Sequence, residues 1–238
     1  VSHAHGQGYS DLNFLIPELV NRIDYRKGPY FASDGDFSSA GSARLLLRNS
    51  LPQGIASLTL GENGYARTLL ANSGAVGAGQ WLGAVELQAN DGPWQEPERL
   101  RKFNGQLRWS ESNEQGSRSL SLMAYSNRWT ATDQIPERAV LDGRLDRFGT
   151  LDPSDGGRSQ RFSLSARQTR NTADGDWQAS AYVIRSRLNL FSNFSYFLDD
   201  PVNGDQFEQA EQRQVLGGEL SRRWQFQWGG REQQLSLG

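Results

Sequence analysis

The chain has 238 residues, 36% of them from the AVILMFWYC set, with 26 glycines and a formal charge of -2. That length suffices for one large domain or two small ones, and the near-neutral charge gives no general attraction to nucleic acid. With no cysteine there is no disulfide framework, no thiolate metal site and no cysteine nucleophile. No apolar run approaches the length of a membrane-spanning helix, although the strands of a membrane β-barrel are polar on alternate residues and escape that test.

Residues 1–50 form a compact, glycine-rich segment and not a hairpin ladder, with one short apolar strand at Ala43–Leu47. There is no initiator Met and no charged-then-apolar leader, so a signal peptide, if one exists, lies upstream of Val1. Pro52 and Gly54 punctuate the chain, which puts a domain boundary near Asn49–Gln53.

Beyond that boundary the apolar residues alternate, the period of a half-buried strand. Ile55–Leu60, Tyr65–Ala71 and Trp81–Ala89 read as the first three strands. Phe103–Trp109 continues the series, with Phe103, Gly105, Leu107 and Trp109 against Asn104, Gln106 and Arg108. Leu120, Leu122 and Ala124 mark the fifth strand, and Phe162, Leu164 and Ala166 the sixth. Trp177–Leu190 and Leu216–Trp228 follow, with Arg222 interrupting the apolar face of the latter. Gln233–Gly238 reads as a ninth strand cut short. After a tight turn at Gly61–Gly64, short links (Ser73–Gly79, Glu111–Ser117, Arg170–Asp176, Trp228–Glu232) alternate with long ones (Asn90–Arg101, Thr130–Ser159, Phe191–Gln212). Outer-membrane barrels segregate loop length in this way.

The run Ile16-Pro17-Glu18-Leu19-Val20-Asn21-Arg22-Ile23-Asp24-Tyr25-Arg26-Lys27-Gly28-Pro29 resembles the plug signature of TonB-dependent outer-membrane receptors. The matching positions are Pro17, Glu18, Arg22, Lys27, Gly28 and Pro29, with Gly41 in the glycine-rich turn that follows. Asp34-Gly35 and Ala43-Arg44-Leu45 differ from the family's usual pattern there. The stretches Asp133–Ala139 and Leu198–Phe207 resemble outer loops of one receptor subgroup.

The resemblance implies an all-β protein. Residues 1–50 would be the C-terminal part of the plug, and residues 51–238 the first eight or nine strands of an antiparallel transmembrane β-barrel of about 22. Too few strands are present to close around a plug, so an unclosed sheet with the plug remnant against one face is expected. The implied function is active uptake of a scarce nutrient, most often a ferric siderophore, across the bacterial outer membrane. Its partners would be that small ligand, outer-membrane lipid and the inner-membrane TonB complex, whose contact motif would lie upstream. A soluble carbohydrate-binding β-module and a small complete outer-membrane barrel are the competing readings.

By the same resemblance Tyr30 and Phe31 lead to a plug apex facing the ligand, with packing against the barrel wall as the plainer alternative. Asp34 and Asp36 are further ligand-contact candidates, or simply turn residues. His3 and His5 share one side of an extended segment but lack an identifiable third metal ligand. Asp199, Asp200, Asn203 and Asp205 offer hard oxygens around a glycine, without EF-hand spacing. Trp81, Trp109, Trp177, Trp224 and Trp228 sit near strand ends, where a membrane interface belt would place them. Arg161 and Arg167 lie opposite the Phe162/Leu164/Ala166 face and are assigned to a polar lumen. No nucleophile–base–orienter set is present, so neither an enzyme nor a cofactor is expected.

Overall fold

A computed structural model describes residues 11–31, 34 and 38–238. Nine strands form one antiparallel sheet in strict chain order: β3 (Ile55–Leu60), β4 (Ala66–Val76), β5 (Gly79–Asn90), β6 (Leu100–Asn113), β7 (Gly116–Thr130), β8 (Gly156–Thr172), β9 (Gly175–Ser192), β10 (Phe207–Trp228) and β11 (Arg231–Leu237). The sheet does not close, since β3 and β11 each have one strand neighbour. Among the described residues no helix is long and apolar enough to cross a membrane, an observation that leaves strands untouched.

The strands outrun the apolar alternation that marks them. β10 begins at Phe207, well before Leu216, because Glu208, Gln212 and Gln214 continue the ladder to β9 with polar side chains. The short links shrink to two residues, as at Gly77-Ala78 and Gly229-Gly230, while the long ones hold 91–99, 131–155 and 193–206. The longest contains helix α1 (Glu137–Leu141).

The N-terminal residues contain more regular structure than their sequence suggests. β1 (Val20–Lys27) pairs antiparallel with β2 (Gly41–Leu47), so this unit does hold a hairpin ladder, correcting the expectation of none. β1 carries polar or charged residues on both faces and is exposed nearly throughout, so no period-2 signal marks it. The hairpin connection explains two motif glycines. Gly28 has φ +83° and Gly41 φ +140°, and a Cβ would collide with the Tyr30 ring at the first and with the Arg26 carbonyl at the second.

This unit packs on one face of the sheet, over β4–β8. Ile16 and Leu19 pack with Leu69 and Ala71 of β4 and with Leu82 and Ala84 of β5, each buried Leu or Ile contributing roughly 1.5–3 kcal/mol. Around that core the covered face is polar, with Glu86, Asn104, Gln106, Ser110, Ser121 and Asn127 all buried. The register puts the apolar alternation on the opposite, open face, where Leu107 pairs with Gly83 and Leu122, and Leu122 with Leu164. Every exposed large apolar side chain of the nine strands lies on that open face, except Tyr182 and Phe207. The sheet is thus apolar outward and polar toward its packed side, the inverse of a sheet folded on an oily core.

Candidate functional site

The first motif element is a 3-10 turn, Pro17–Leu19, with proline at its first position. It brings Glu18 over β4, where both terminal nitrogens of Arg67 donate to the Glu18 carboxylate at 2.8 and 2.9 Å. The same guanidinium donates through Nε to Glu86 of β5 at 2.7 Å. Glu86 is fully buried and also receives Lys102 Nζ at 2.8 Å and Asn104 Nδ2 at 3.0 Å from β6. Two carboxylates and two cations therefore alternate from the N-terminal unit into the sheet. A charge this deeply buried persists only when so partnered. The bidentate Arg67 contact holds the Glu18 carboxyl below its ordinary range. Asn104 Nδ2 to the Asn13 carbonyl, at 2.9 Å, and Arg108 Nε to Asn49 Oδ1, at 2.9 Å, tie the two ends of the unit to β6.

Beside this network, toward the long loops, lies a cavity of about 600 Å³, within the ordinary range of small-molecule sites. Asp11 and Phe14 of the N-terminal unit form one side, with Tyr125, Trp129 and Arg161 of the sheet and Trp94 of the 91–99 loop among the rest. The Arg161 guanidinium sits 4.5 Å from the Phe14 ring centroid, a cation–π contact. The Tyr125 hydroxyl donates to Asp11 at 3.4 Å, and Trp94 Nε1 donates to Glu98 at 2.9 Å. Aromatic walls with Arg161 and several carboxylates suit a small polar ligand bearing a ring or a charge.

Long loops meet at the mouth end of the sheet. Asn193 donates to Asp152 at 2.8 Å and through its backbone to Asp133 at 3.2 Å, while Gln206 donates to Ser154 at 2.7 Å and Asp155 at 3.0 Å. Burial, reinforced by the charges of Asp152 and Asp133, pushes the Asp155 carboxyl up to about 7. Asp205 accepts the backbone N–H groups of Leu198, Asp199 and Asp200, so its carboxylate serves its own loop. Among the described residues, no three His, Asp or Glu side chains close on one metal position.

The sequence-selected residues divide. Glu18 joins the network, and Pro17 starts the turn that delivers it. Arg22 pairs with Asp24 at 3.0 Å on exposed β1, whose last residue, Lys27, stands opposite Gly41. Pro29 follows Gly28 into the exposed hairpin loop. Tyr30 is 81% exposed and Phe31 lies under Arg26 at 4.4 Å; neither lines the cavity. The Asp34 side chain is buried between Arg26, Arg44 and Ser42, with Ser42 Oγ donating at 2.8 Å. Asp36, His3 and His5 lie outside the described residues. Arg161 faces the N-terminal unit as its alternation suggests, and Arg167 shares that face.

The sequence matches no family model and no curated protein. The site is read from its own geometry. All five tryptophans singled out by their strand-end positions stand on the open face toward the short turns, with Trp81 directly opposite Trp109. Arg118 lies 5.2 Å from the Trp109 ring, and Arg222, which interrupts the apolar face, reaches over Trp224 to Asp174 at 2.6 Å. What sequence reasoning missed was the cavity. Asp11, Phe14, Tyr125 and Trp129 converge from segments up to about 120 residues apart, and none carries a local motif.

Proposed function

We propose that this chain is part of a TonB-dependent receptor of the bacterial outer membrane that takes up a scarce nutrient, a ferric siderophore. The inverted sheet carries this reading. A face of exposed Leu, Val and Phe bounded by tryptophans at the short turns suits hydrocarbon and its interface, and the polar opposite face suits a lumen. On β10 the open face carries Leu216, Leu220, Trp224, Phe226 and Trp228, interrupted by Arg222, whose charge is met by Asp174 at 2.6 Å. In this reading further strands of a barrel of about 22 pair the free edges of β3 and β11.

Residues 1–50 then act as the rear of a plug, docked through Glu18 and Arg67, and residues 51–238 as the leading part of the barrel wall. The nutrient enters between the long loops and reaches the cavity walled by Phe14, Trp129 and Arg161. The TonB complex pulls on the plug from the short-turn side. Any displacement of the plug must break or carry along the Glu18–Arg67 contact, which makes that pair a candidate control point.

Uptake of radiolabelled iron from ferric siderophores tests the proposal. Cells lacking the protein are expected to lose uptake of one siderophore to the level of a TonB-deficient strain. Unchanged uptake of every siderophore offered would contradict it.

A further inference from the structure

The 91–99 loop brings to the cavity an acid that has no cation beside it. Glu98 accepts hydrogen bonds from Trp94 Nε1 at 2.9 Å and Asn90 Nδ2 at 3.3 Å, both neutral donors. The basic residues next to it in sequence turn elsewhere, Arg99 to Glu96 at 4.0 Å and Arg101 to Asp91 at 3.6 Å. The Glu98 backbone is fixed on both sides. Its N–H donates to the Asp91 carbonyl at 2.8 Å, and its carbonyl accepts the Thr130 N–H at 2.7 Å. Arg99 then holds φ +47°, a left-handed conformation unfavourable for a residue with a side chain, of the kind that clusters where surrounding structure imposes it. The result leaves Arg99 exposed and Glu98 lining the cavity.

The other charges of the cavity are matched. The Arg161 guanidinium lies against the Phe14 ring at 4.5 Å, and Asp11 offsets its charge. Glu211 pairs with Arg213 at 3.0 Å. Arg187 borders the cavity, but the register turns its side chain to the open face, opposite Gln160. Glu98 remains as the uncompensated charge. A second acceptor waits nearby on β7. Asn127 is 8% exposed, and its Oδ1 has no hydrogen-bond partner within the chain, a state that buried polar atoms rarely keep. Trp94, braced by Phe148 at 6.0 Å, and Trp129 add ring faces to the same walls, and such faces attract cations.

We infer that Glu98, Asn127, Trp94 and Trp129 form a subsite for a protonated amine, so that the ligand is a ferric chelate with a pendant primary ammonium group and not an anionic one. An ammonium group carries one positive charge and three donors. It meets here a carboxylate, an orphaned amide oxygen and two indole faces. An anionic chelate would bring like charge against Glu98 in a half-enclosed site. The inference rests on the uptake reading proposed above, but it concerns the charge of the ligand, which that reading leaves open.

Calorimetric titration of the full chain in detergent with two gallium chelates separates the two. One is gallium desferrioxamine B, a trihydroxamate with a pentylammonium tail; the other is its N-acetylated form, which keeps the metal centre and loses the charge. The amine form is expected to bind at least about tenfold more tightly, as one charge-assisted hydrogen bond allows. Glu98→Gln should abolish that preference, and Glu98→Asp, which keeps the charge, should retain part of it. Equal affinity of the wild-type chain for both chelates, tighter binding of the acetylated one, or a preference that survives Glu98→Gln would overturn the amine subsite and leave the uptake reading intact. The wild-type comparison decides the matter even where a variant fails to fold. Binding of pentylamine alone, lost in Glu98→Gln, with neither chelate bound, would support the subsite and contradict the siderophore reading. Failure of all three to bind would overturn both.

Discussion

The carboxylate of Glu18 holds both terminal nitrogens of Arg67, and the same guanidinium reaches the fully buried Glu86 through Nε. One side chain of the sheet thereby answers two carboxylates, one on each side of the contact between the N-terminal unit and the sheet. The two acids are not equivalent. Glu18 is about one-third exposed, whereas Glu86 is sealed and shared with Lys102.

That asymmetry orders the expected losses. Glu18→Ala leaves Arg67 with Glu86 and should weaken docking of residues 11–50 by about 1–3 kcal/mol. Glu86→Ala strands Lys102 without its acid and strips Arg67 of one, so a loss of about 3 kcal/mol or more is expected. Denaturant unfolding, followed by tryptic cleavage after Arg48, gives both values. Equal losses would mean that the chain of charges does not act as a relay.

Acid should loosen the same contact. The Glu18 carboxyl is depressed by its bond to Arg67, so its contribution is complete above the ordinary value of about 4.3 and disappears as pH falls through the lower folded value. Protease sensitivity near Asn49 should therefore rise below about pH 4 and not between pH 5 and 8. Glu18→Gln should flatten that acid response.

The outer loops should show the opposite sign. Asp155 is raised to about 7 by burial and its acidic neighbours, so ionising it in place costs stability between its ordinary value near 3.9 and about 7. Hydrogen exchange in residues 131–155 is expected to be slower at pH 5 than at pH 8, after correction for intrinsic rates. Asp155→Asn should remove the difference. A loop more protected at pH 8 would contradict the burial of an uncompensated carboxylate.

The strands were legible because apolar alternation is written in the sequence, and Leu120, Leu122 and Ala124 point one way in the structure as they do on paper. Where the period carried no hydrophobic contrast it failed. β1 and the first half of β10 are polar on both faces, and their pairing comes from the backbone and from partner strands. Glu18 could be picked out within its motif, but its partner could not. Arg67 is one of 23 arginines, and nothing local in β4 marks it as the one that meets a carboxylate 49 residues earlier. The cavity was hidden for the same reason. Phe14 and Arg161 touch across almost 150 residues, a distance over which spacing says nothing.

The central claim is that the open face meets hydrocarbon and the covered face a polar interior. Because the chain has no cysteine, single cysteines carrying a nitroxide label can be placed at each of positions 119–125 of β7 in the lipid-reconstituted chain. Collision rates with oxygen, which concentrates in lipid, and with a water-soluble nickel chelate then report each position's surroundings. The account predicts a period of two, with high oxygen exposure at 120, 122 and 124 and none of that preference at 119, 121, 123 and 125. Nickel exposure at 120, 122 and 124, or the absence of any alternation, would contradict it.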